Sequence, residues 1–160
     1  MNSDLERTLL YTNIFSETTQ NNIKNNFNKL YDDDFRPYSS HRIFTNKEKE
    51  ECWKLARVIP YRDPKRWRYD AIGNPVLKVL RGCMGALCHE YDHVYPHSKG
   101  GQTKLNNCQV LQSKVNRIKS NKLNFSHQEM IESSIKLNLT EDDMDKIEQL
   151  VYGDVKKLRI

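Results

Sequence analysis

Residues 86–122 constrain the fold of this chain more than any other stretch. Residues 87–95 alternate well enough to predict a strand, and residues 108–111 predict a second, shorter strand. Between them, residues 96–104 predict a flexible loop that contains Gly100 and Gly101. A helix is predicted from Ser113 onward, with Val115 and Ile118 among its residues. The predicted order is therefore strand, loop, strand and helix.

Four polar residues fall at key places in this pattern. His93 ends the first strand, Asn107 opens the second, and Asn116 lies in the helix. Asp92 directly precedes His93, and adjacent strand residues point to opposite faces. Both side chains reach one site only if the chain bends, which the end of a strand allows. Taken alone, the Asp-His pair also fits a polar corner on a turn, and Asn116 also fits an exposed helix position.

Together these residues resemble the HNH nuclease family, whose core is the ββα-metal fold. Fourteen positions separate His93 from Asn107 and nine separate Asn107 from Asn116, which are the family's usual intervals. The resemblance covers residues 65–120 and implies an α+β fold with a ββα-metal core and flanking helices at both ends. The matching residues, in order, are Asp92-His93, Pro96, Ser98, Gly100-Gly101, Asn107, Leu111, Asn116 and Lys119.

The resemblance implies divalent-metal-dependent hydrolysis of phosphodiester bonds in DNA. His93 would act as the general base that activates water, which suits a side chain whose ordinary pKa lies near neutrality. Asp92 and Asn116 would hold Mg²⁺ or Mn²⁺, because carboxylate and amide oxygens are hard ligands. Asn107 would orient His93 and so serve catalysis.

The cysteines depart from a pattern that many HNH nucleases share. Those proteins carry two CxxC pairs that bind structural zinc, whereas residues 111–116 here read LQSKVN. A structural zinc ion is therefore not expected, and helix packing must support the core instead. Cys83 and Cys88, like Cys52 and Cys108, are expected to be reduced thiols that pack as small apolar side chains.

Positive charge is concentrated in the middle of the chain. Residues 54–122 hold 14 Lys and Arg against 4 Asp and Glu, a net charge of +10, whereas the flanks carry −5. This asymmetry fits a polyanion site as well as it fits a solvated face. The candidate nucleic-acid contacts are Lys99, Lys104, Arg117, Lys119, Arg66, Arg68 and His97.

Two aromatic residues near the motif have open roles. His89 shares a strand face with His93, which allows a metal or phosphate contact as well as a purely structural role. Trp67 lies among arginines, but the pattern favours a core position over a platform for base stacking.

The rest of the chain predicts helices on both sides of the core. Sequences with capping-box spacing begin at Ser3, Thr45, Ser126 and Thr140. The second opens a helix to about residue 58 and the third a helix to about residue 136, and a further helix is predicted at 17–30. Residues 62–81 predict a hairpin or strand-like element. We therefore divide the chain into an N-terminal helical extension (1–60), the nuclease core (61–125) and C-terminal helices (126–160), packed as one compact domain.

Composition sets the expected surroundings and partners. The sequence contains no stretch of about 20 apolar residues, and its first residues do not resemble a secretory signal, so an intracellular protein is expected. Its expected partner is double-stranded DNA, and a double-strand break would require a homodimer or two encounters. The competing interpretations are a nucleic-acid-binding module with a degenerate site and a protein-interaction domain.

Overall fold

The computed structural model describes residues 41–153, and this part of the chain is α+β. The predicted helix that begins at Ser3, the predicted helix at 17–30 and the final residues 154–160 lie outside the described residues. Two short 3-10 turns, His97–Lys99 and Leu105–Asn107, lie in the loop before the last strand. The helices and strands are α1 (Asn46–Leu55), β1 (Trp67–Tyr69), β2 (Pro75–Leu77), β3 (His89–His93), β4 (Cys108–Gln112), α2 (Ser113–Lys119), α3 (His127–Ser133) and α4 (Glu141–Tyr152).

The four strands form two separate antiparallel hairpins. In the first, β1 pairs with β2, as the sequence predicted for residues 62–81. In the second, β3 pairs with β4 over five residue pairs, from His89 opposite Gln112 to His93 opposite Cys108. Helix α2 begins directly where β4 ends. The predicted order of strand, loop, strand and helix is therefore confirmed.

The buried carboxylate of Asp70 joins the two hairpins. Its Oδ1 accepts hydrogen bonds from the backbone N–H groups of Ile72 and Asn74 in the turn between β1 and β2. Its Oδ2 accepts a bond of 2.9 Å from the backbone N–H of Gln112 in β4. Burial raises the pKa of Asp70, and these hydrogen bonds oppose the rise. The first hairpin is thereby fixed against the strand that leads into α2.

Three helices begin with the predicted capping boxes. The side chains of Thr45, Ser126 and Thr140 each accept a hydrogen bond from the backbone N–H three residues later. The carboxylate at that position accepts a bond from the backbone N–H of the capping residue, and together these bonds satisfy N–H groups that a helix leaves without partners.

Helices α1 and α3 are shorter than the sequence predicted, because the backbone that follows each of them is hydrogen-bonded to another part of the chain. After α1, Ala56 is extended and the carbonyl of Arg57 accepts a bond from the N–H of Tyr69 in β1. The helix therefore ends at Leu55 and not near residue 58. After α3, the backbone of Ile135 is hydrogen-bonded to the Gln112 side chain, so that helix ends at Ser133.

Helix packing supports both hairpins, as the absence of a second cysteine pair led us to expect. Helix α1 places Cys52 and Trp53 against β2 and β4, while α4 packs Met144 against the first hairpin. Trp67 is fully buried in the latter cluster, which confirms its core position. The third cluster joins β4, α2 and α3 through Leu111, Val115, Phe125 and Met130. Within residues 41–153, no helix has the length and apolar character to cross a membrane.

The prediction of reduced thiols is wrong for one pair of cysteines. Cys83 and Cys88 form a disulfide with a Cα–Cα distance of 5.4 Å, which closes the short loop before β3. The local chain turns back on itself there, and Cys88 N–H donates to the Gly85 carbonyl, which brings the two thiols together. Cys52 and Cys108 are free, with Cys52 buried.

Gln112 connects three segments at the junction of β4 and α2. It is fully buried, and its Nε2 donates to the carbonyls of Ala86 and Ile135 at 2.8 and 3.0 Å. Its Oε1 accepts a bond of 2.7 Å from the Ile135 N–H. In the LQSKVN sequence a glutamine therefore joins the loop before β3 to the chain after α3.

We predict that Gln112→Met lowers the free energy of unfolding by about 2–5 kcal/mol, because the unpaired buried groups each cost about 1–3 kcal/mol. Methionine has a similar volume, so the change removes the hydrogen bonds with little change in packing. Urea denaturation checks this, with the exposed Gln128→Met as control. Equal stabilities for the two variants would contradict the bridging role.

Ser120 adopts a backbone conformation that favours glycine. It follows α2 with φ 48° and ψ −124°, and the N–H of Lys122 donates to the carbonyl of Lys119 at 3.0 Å. These angles match the first central position of a type II′ turn, where a side chain is strained.

Ser120→Gly is therefore expected to raise the free energy of unfolding by about 1 kcal/mol, since strain of this kind costs about 1–3 kcal/mol. Asn121→Gly is the control, because Asn121 is not among the residues with positive φ and gains no relief. Thermal melts of both variants check the prediction. A Ser120→Gly protein that melts no higher than the Asn121→Gly protein would contradict it.

Candidate active site

The imidazole of His93 is held at the end of β3 by contacts on several sides. Its Nε2 lies 2.9 Å from the hydroxyl oxygen of Thr103. Its ring stacks on Phe44, with 4.3 Å between centroids, and the His97 ring lies 5.4 Å away. If Nε2 donates its proton to Thr103, Nδ1 keeps a lone pair that can accept a proton.

The environment of His93 favours the neutral ring. Burial, followed by the positive charges of His97, Lys119 and Arg42, lowers the pKa of His93 from 6.5 to about 4. The unprotonated form therefore predominates near pH 7, and this is the form that a general base requires.

Asp92 forms a buried ion pair with Lys119. The Oδ2 atom accepts from the Lys119 Nζ at 2.8 Å and from the Gln109 Nε2 at 2.8 Å. The same Nζ donates to the backbone carbonyl of His93 at 2.9 Å. Burial raises the pKa of Asp92, while Lys119 and Gln109 oppose the rise. A single ammonium group, at the end of α2, therefore fixes both residues of the Asp-His pair.

Asn107 shapes the loop between β3 and β4. Its Oδ1 accepts from the Tyr95 N–H at 2.8 Å, and its Nδ2 donates to the carbonyls of Tyr95 and Gln102. We predicted that Asn107 orients His93, yet the hydrogen-bond partner of the ring is Thr103. The influence of Asn107 on His93 is therefore indirect, through the loop that carries Thr103.

The two glycines of this loop have different roles. Gly100 has φ 97°, a left-handed conformation that ends the 3-10 turn His97–Lys99. A Cβ atom on Gly101 would lie 1.9 Å from the Tyr95 carbonyl oxygen, so no side chain fits there. The Gly-Gly pair thus permits the loop to fold tightly onto the end of β3.

Asn116 is hydrogen-bonded to a carboxylate that we did not predict. Its Nδ2 donates to Glu90 Oε2 at 2.6 Å, and Arg117 donates to Glu90 Oε1 at 2.8 Å. Glu90 lies two positions before Asp92 in β3, and alternation places both on the face that contacts α2. The sequence contained this signal, since alternation along a strand that ends in Asp92-His93 puts residue 90 on the same face as Asp92.

An open cavity of about 810 Å³ brings these groups together. Glu90, Asp92, His93 and Asn116 all line it. Its basic lining residues are Arg42, Lys49, Arg81 and Arg117. Among residues 41–153, Arg117 pairs with Glu90, whereas the other three form no ion pair with an acidic side chain.

Three of the predicted nucleic-acid contacts bond to other groups of the protein instead. Lys119 is fully buried, so its ammonium cannot reach a phosphate in this conformation. Arg66 pairs with Glu148 of α4, and Arg68 donates to the carbonyls of Pro64 and Ala56. These two arginines, which flank Trp67 in sequence, hold the first hairpin to its neighbours.

The remaining predicted contacts differ in their relation to the cavity. Arg117 and His97 line it, whereas Lys99 and Lys104 are not among its lining residues. His89 is fully buried between Trp53 and Tyr91, at centroid distances of 5.1 and 5.5 Å. His89 is not among the residues that line the cavity, which favours the structural one of the two roles left open for it.

The donor set suits a hard divalent cation. Asp92 and Asn116 line the cavity and carry oxygen atoms of the kind that Mg²⁺ prefers, and Mg²⁺ is held by few protein oxygens and several waters. Residues 41–153 contain no group of three or more His, Cys, Asp and Glu side chains arranged to hold a metal ion. The two metal ligands that the sequence predicted, Asp92 and Asn116, both line the cavity.

Comparison with known proteins adds no assignment. No protein family, no curated protein and no solved structure matches this chain. The functional argument therefore depends on the residues and their geometry.

We predict that two histidines of the free protein titrate near pH 4, because burial lowers the pKa of both His89 and His93 to about 4. NMR titration of the imidazole C–H signals checks this, and His93→Gln should remove one of the two transitions. A His93 transition near its ordinary pKa of 6.5 would show that the ring is solvated, contrary to the structure.

Proposed function

We propose that this protein is a divalent-metal-dependent endonuclease of the HNH type, which hydrolyses phosphodiester bonds in DNA. The observation that carries the proposal is the position of His93. Its neutral ring lies in the same cavity as Asp92 and Asn116, beside a basic rim. The hairpin of β3 and β4 followed by α2 supports a ββα-metal core.

His93 would remove a proton from the attacking water. With Nε2 hydrogen-bonded to Thr103, Nδ1 accepts that proton as the water oxygen approaches phosphorus. Stacking on Phe44 restricts rotation of the ring, so that little orientational freedom is lost on reaction. After attack, the phosphorus–oxygen bond to the leaving group breaks, the leaving oxygen takes a proton from water, and the imidazolium returns its own proton to solvent.

The metal would supply charge neutralisation at the scissile phosphate and at the leaving oxygen. Asp92 and the Asn116 carbonyl oxygen would hold it. Lys119 keeps the Asp92 carboxylate fixed, and Gln109, directly opposite Asp92 in β4, donates to the same carboxylate oxygen.

The rim of the cavity supports binding of a polyanion. Arg42, Lys49 and Arg81 carry charges that no acidic side chain among residues 41–153 neutralises by an ion pair. Basic side chains that neutralise DNA phosphates release the counterions condensed on the DNA, so binding would weaken as salt rises. Arg117 lines the same cavity, and its guanidinium is bonded to Glu90.

One observation favours a second candidate, a nucleic-acid-binding module with a degenerate site. The buried ammonium of Lys119 already neutralises Asp92, which weakens the attraction of this carboxylate for a cation. Such a module would use the basic rim alone. Binding without cleavage in the presence of Mg²⁺ and Mn²⁺ would favour it.

Cleavage of supercoiled plasmid DNA tests the proposal. We expect nicking with Mg²⁺ or Mn²⁺, loss of activity with EDTA, and recovery when the metal is restored. His93→Ala should lower the rate by about 10²–10⁴-fold, the usual contribution of a general base, while circular dichroism and DNA binding stay unchanged.

The matched control is His127→Ala, a histidine of α3 that is not among the residues lining the cavity. Linear duplex, single-stranded DNA and RNA tested in parallel define the substrate class. A His93→Ala protein as active as wild type would overturn the assignment of the general base, whereas a wild type that cuts none of the substrates with either metal would overturn the nuclease.

A further inference from the structure

Glu90 makes its closest contacts to two consecutive residues of α2. Its Oε2 accepts from the Asn116 Nδ2 at 2.6 Å. Its Oε1 accepts from Arg117, at 2.8 Å from Nη2 and 3.2 Å from Nε. Both carboxylate oxygens are therefore engaged, each by a different side chain of the helix that carries the amide of the site.

The chemistry of these groups fixes the orientation of the Asn116 amide. An ionised carboxylate only accepts hydrogen bonds, whereas an amide has one donor side and one acceptor side. The NH₂ of Asn116 must therefore face Glu90, and its carbonyl oxygen is directed away from that carboxylate. Without such a partner, the amide could turn over and present its donor side to the cavity.

Arg117 prevents Glu90 from rotating. Its Nη2 also donates to the Gly82 carbonyl at 2.9 Å, in the loop that precedes β3. The guanidinium is thus bonded both to Gly82 and to Glu90. Because it is planar and donates two bonds to one carboxylate oxygen, it restricts rotation of the Glu90 carboxylate. The orientation of Asn116 then depends on a chain of contacts from Gly82 through Arg117 and Glu90.

We infer that Glu90 is a positioning residue for a divalent-metal site, and that it acts by holding the Asn116 amide with its carbonyl oxygen available to the cation. This inference rests on the proposed function. Groups that orient a ligand in this way generally affect metal affinity about 10–100-fold.

Binding of Mn²⁺ to the full chain, measured by electron paramagnetic resonance without DNA, tests the inference. Glu90→Gln keeps the size of the side chain but adds a donor, so the amide is no longer held in one orientation. We expect the Mn²⁺ dissociation constant to rise about 10–100-fold. The half-saturating Mn²⁺ concentration for plasmid cleavage should rise in parallel.

A double-mutant cycle separates positioning from a general charge effect. In an Asn116→Ala background, Glu90→Gln should leave the Mn²⁺ dissociation constant unchanged, because the group through which Glu90 acts is gone. The control is Glu50→Gln, which removes the same charge from an ion pair with Lys78 outside the cavity. Circular dichroism establishes that each variant is folded.

The outcomes distinguish the inference from the function on which it rests. Wild type that binds Mn²⁺ and cleaves DNA, with an unchanged dissociation constant in Glu90→Gln, overturns the positioning role alone. An equal loss in the Asn116→Ala background also overturns it, because Glu90 would then act directly on the cation. Wild type that neither binds Mn²⁺ nor cleaves DNA overturns both.

Discussion

The buried ion pair between Asp92 and Lys119 is the contact on which the site depends. It joins the end of β3 to the last residue of α2, so the hairpin and the helix keep one relative position. Removing one partner of such a pair leaves an uncompensated charge, which costs about 3–5 kcal/mol. The same ammonium donates to the His93 carbonyl. One contact therefore both stabilises this junction and positions Asp92 and His93.

Local signals explain which elements the sequence predicted well. Capping boxes, alternation and the Gly-Gly pair act over a few residues, and the elements that they predicted at Thr45, at β3 and in the loop are present. The ends of α1 and α3 were not predictable in this way. They are set by hydrogen bonds to Tyr69 and Gln112, residues 12 and 23 positions from their partners, and no local pattern encodes such distant pairing.

In the candidate site as well, the residues of the motif were predictable from local sequence and the residues that contact them from elsewhere in the chain were not. The spacing of the motif predicted that Asp92, His93 and Asn116 would meet at one site, and all three line one cavity. The motif does not identify the other residues of the cavity wall. Thr103 and Phe44 contact His93 from a loop and from the segment before α1, and neither had a signal. Lys119 was misjudged for a general reason: a lysine near a phosphate motif is usually exposed, and only the position of a buried carboxylate shows otherwise.

The stacking of Phe44 on His93 has a practical consequence for anyone who shortens this protein. Residues 42–44 lie outside the motif and before the first described helix, so a truncation designed from sequence similarity would begin after them. The resulting fragment would retain each residue of the motif and still lose one wall of the cavity. The minimal unit that preserves the histidine's surroundings is therefore larger than the motif that reveals it.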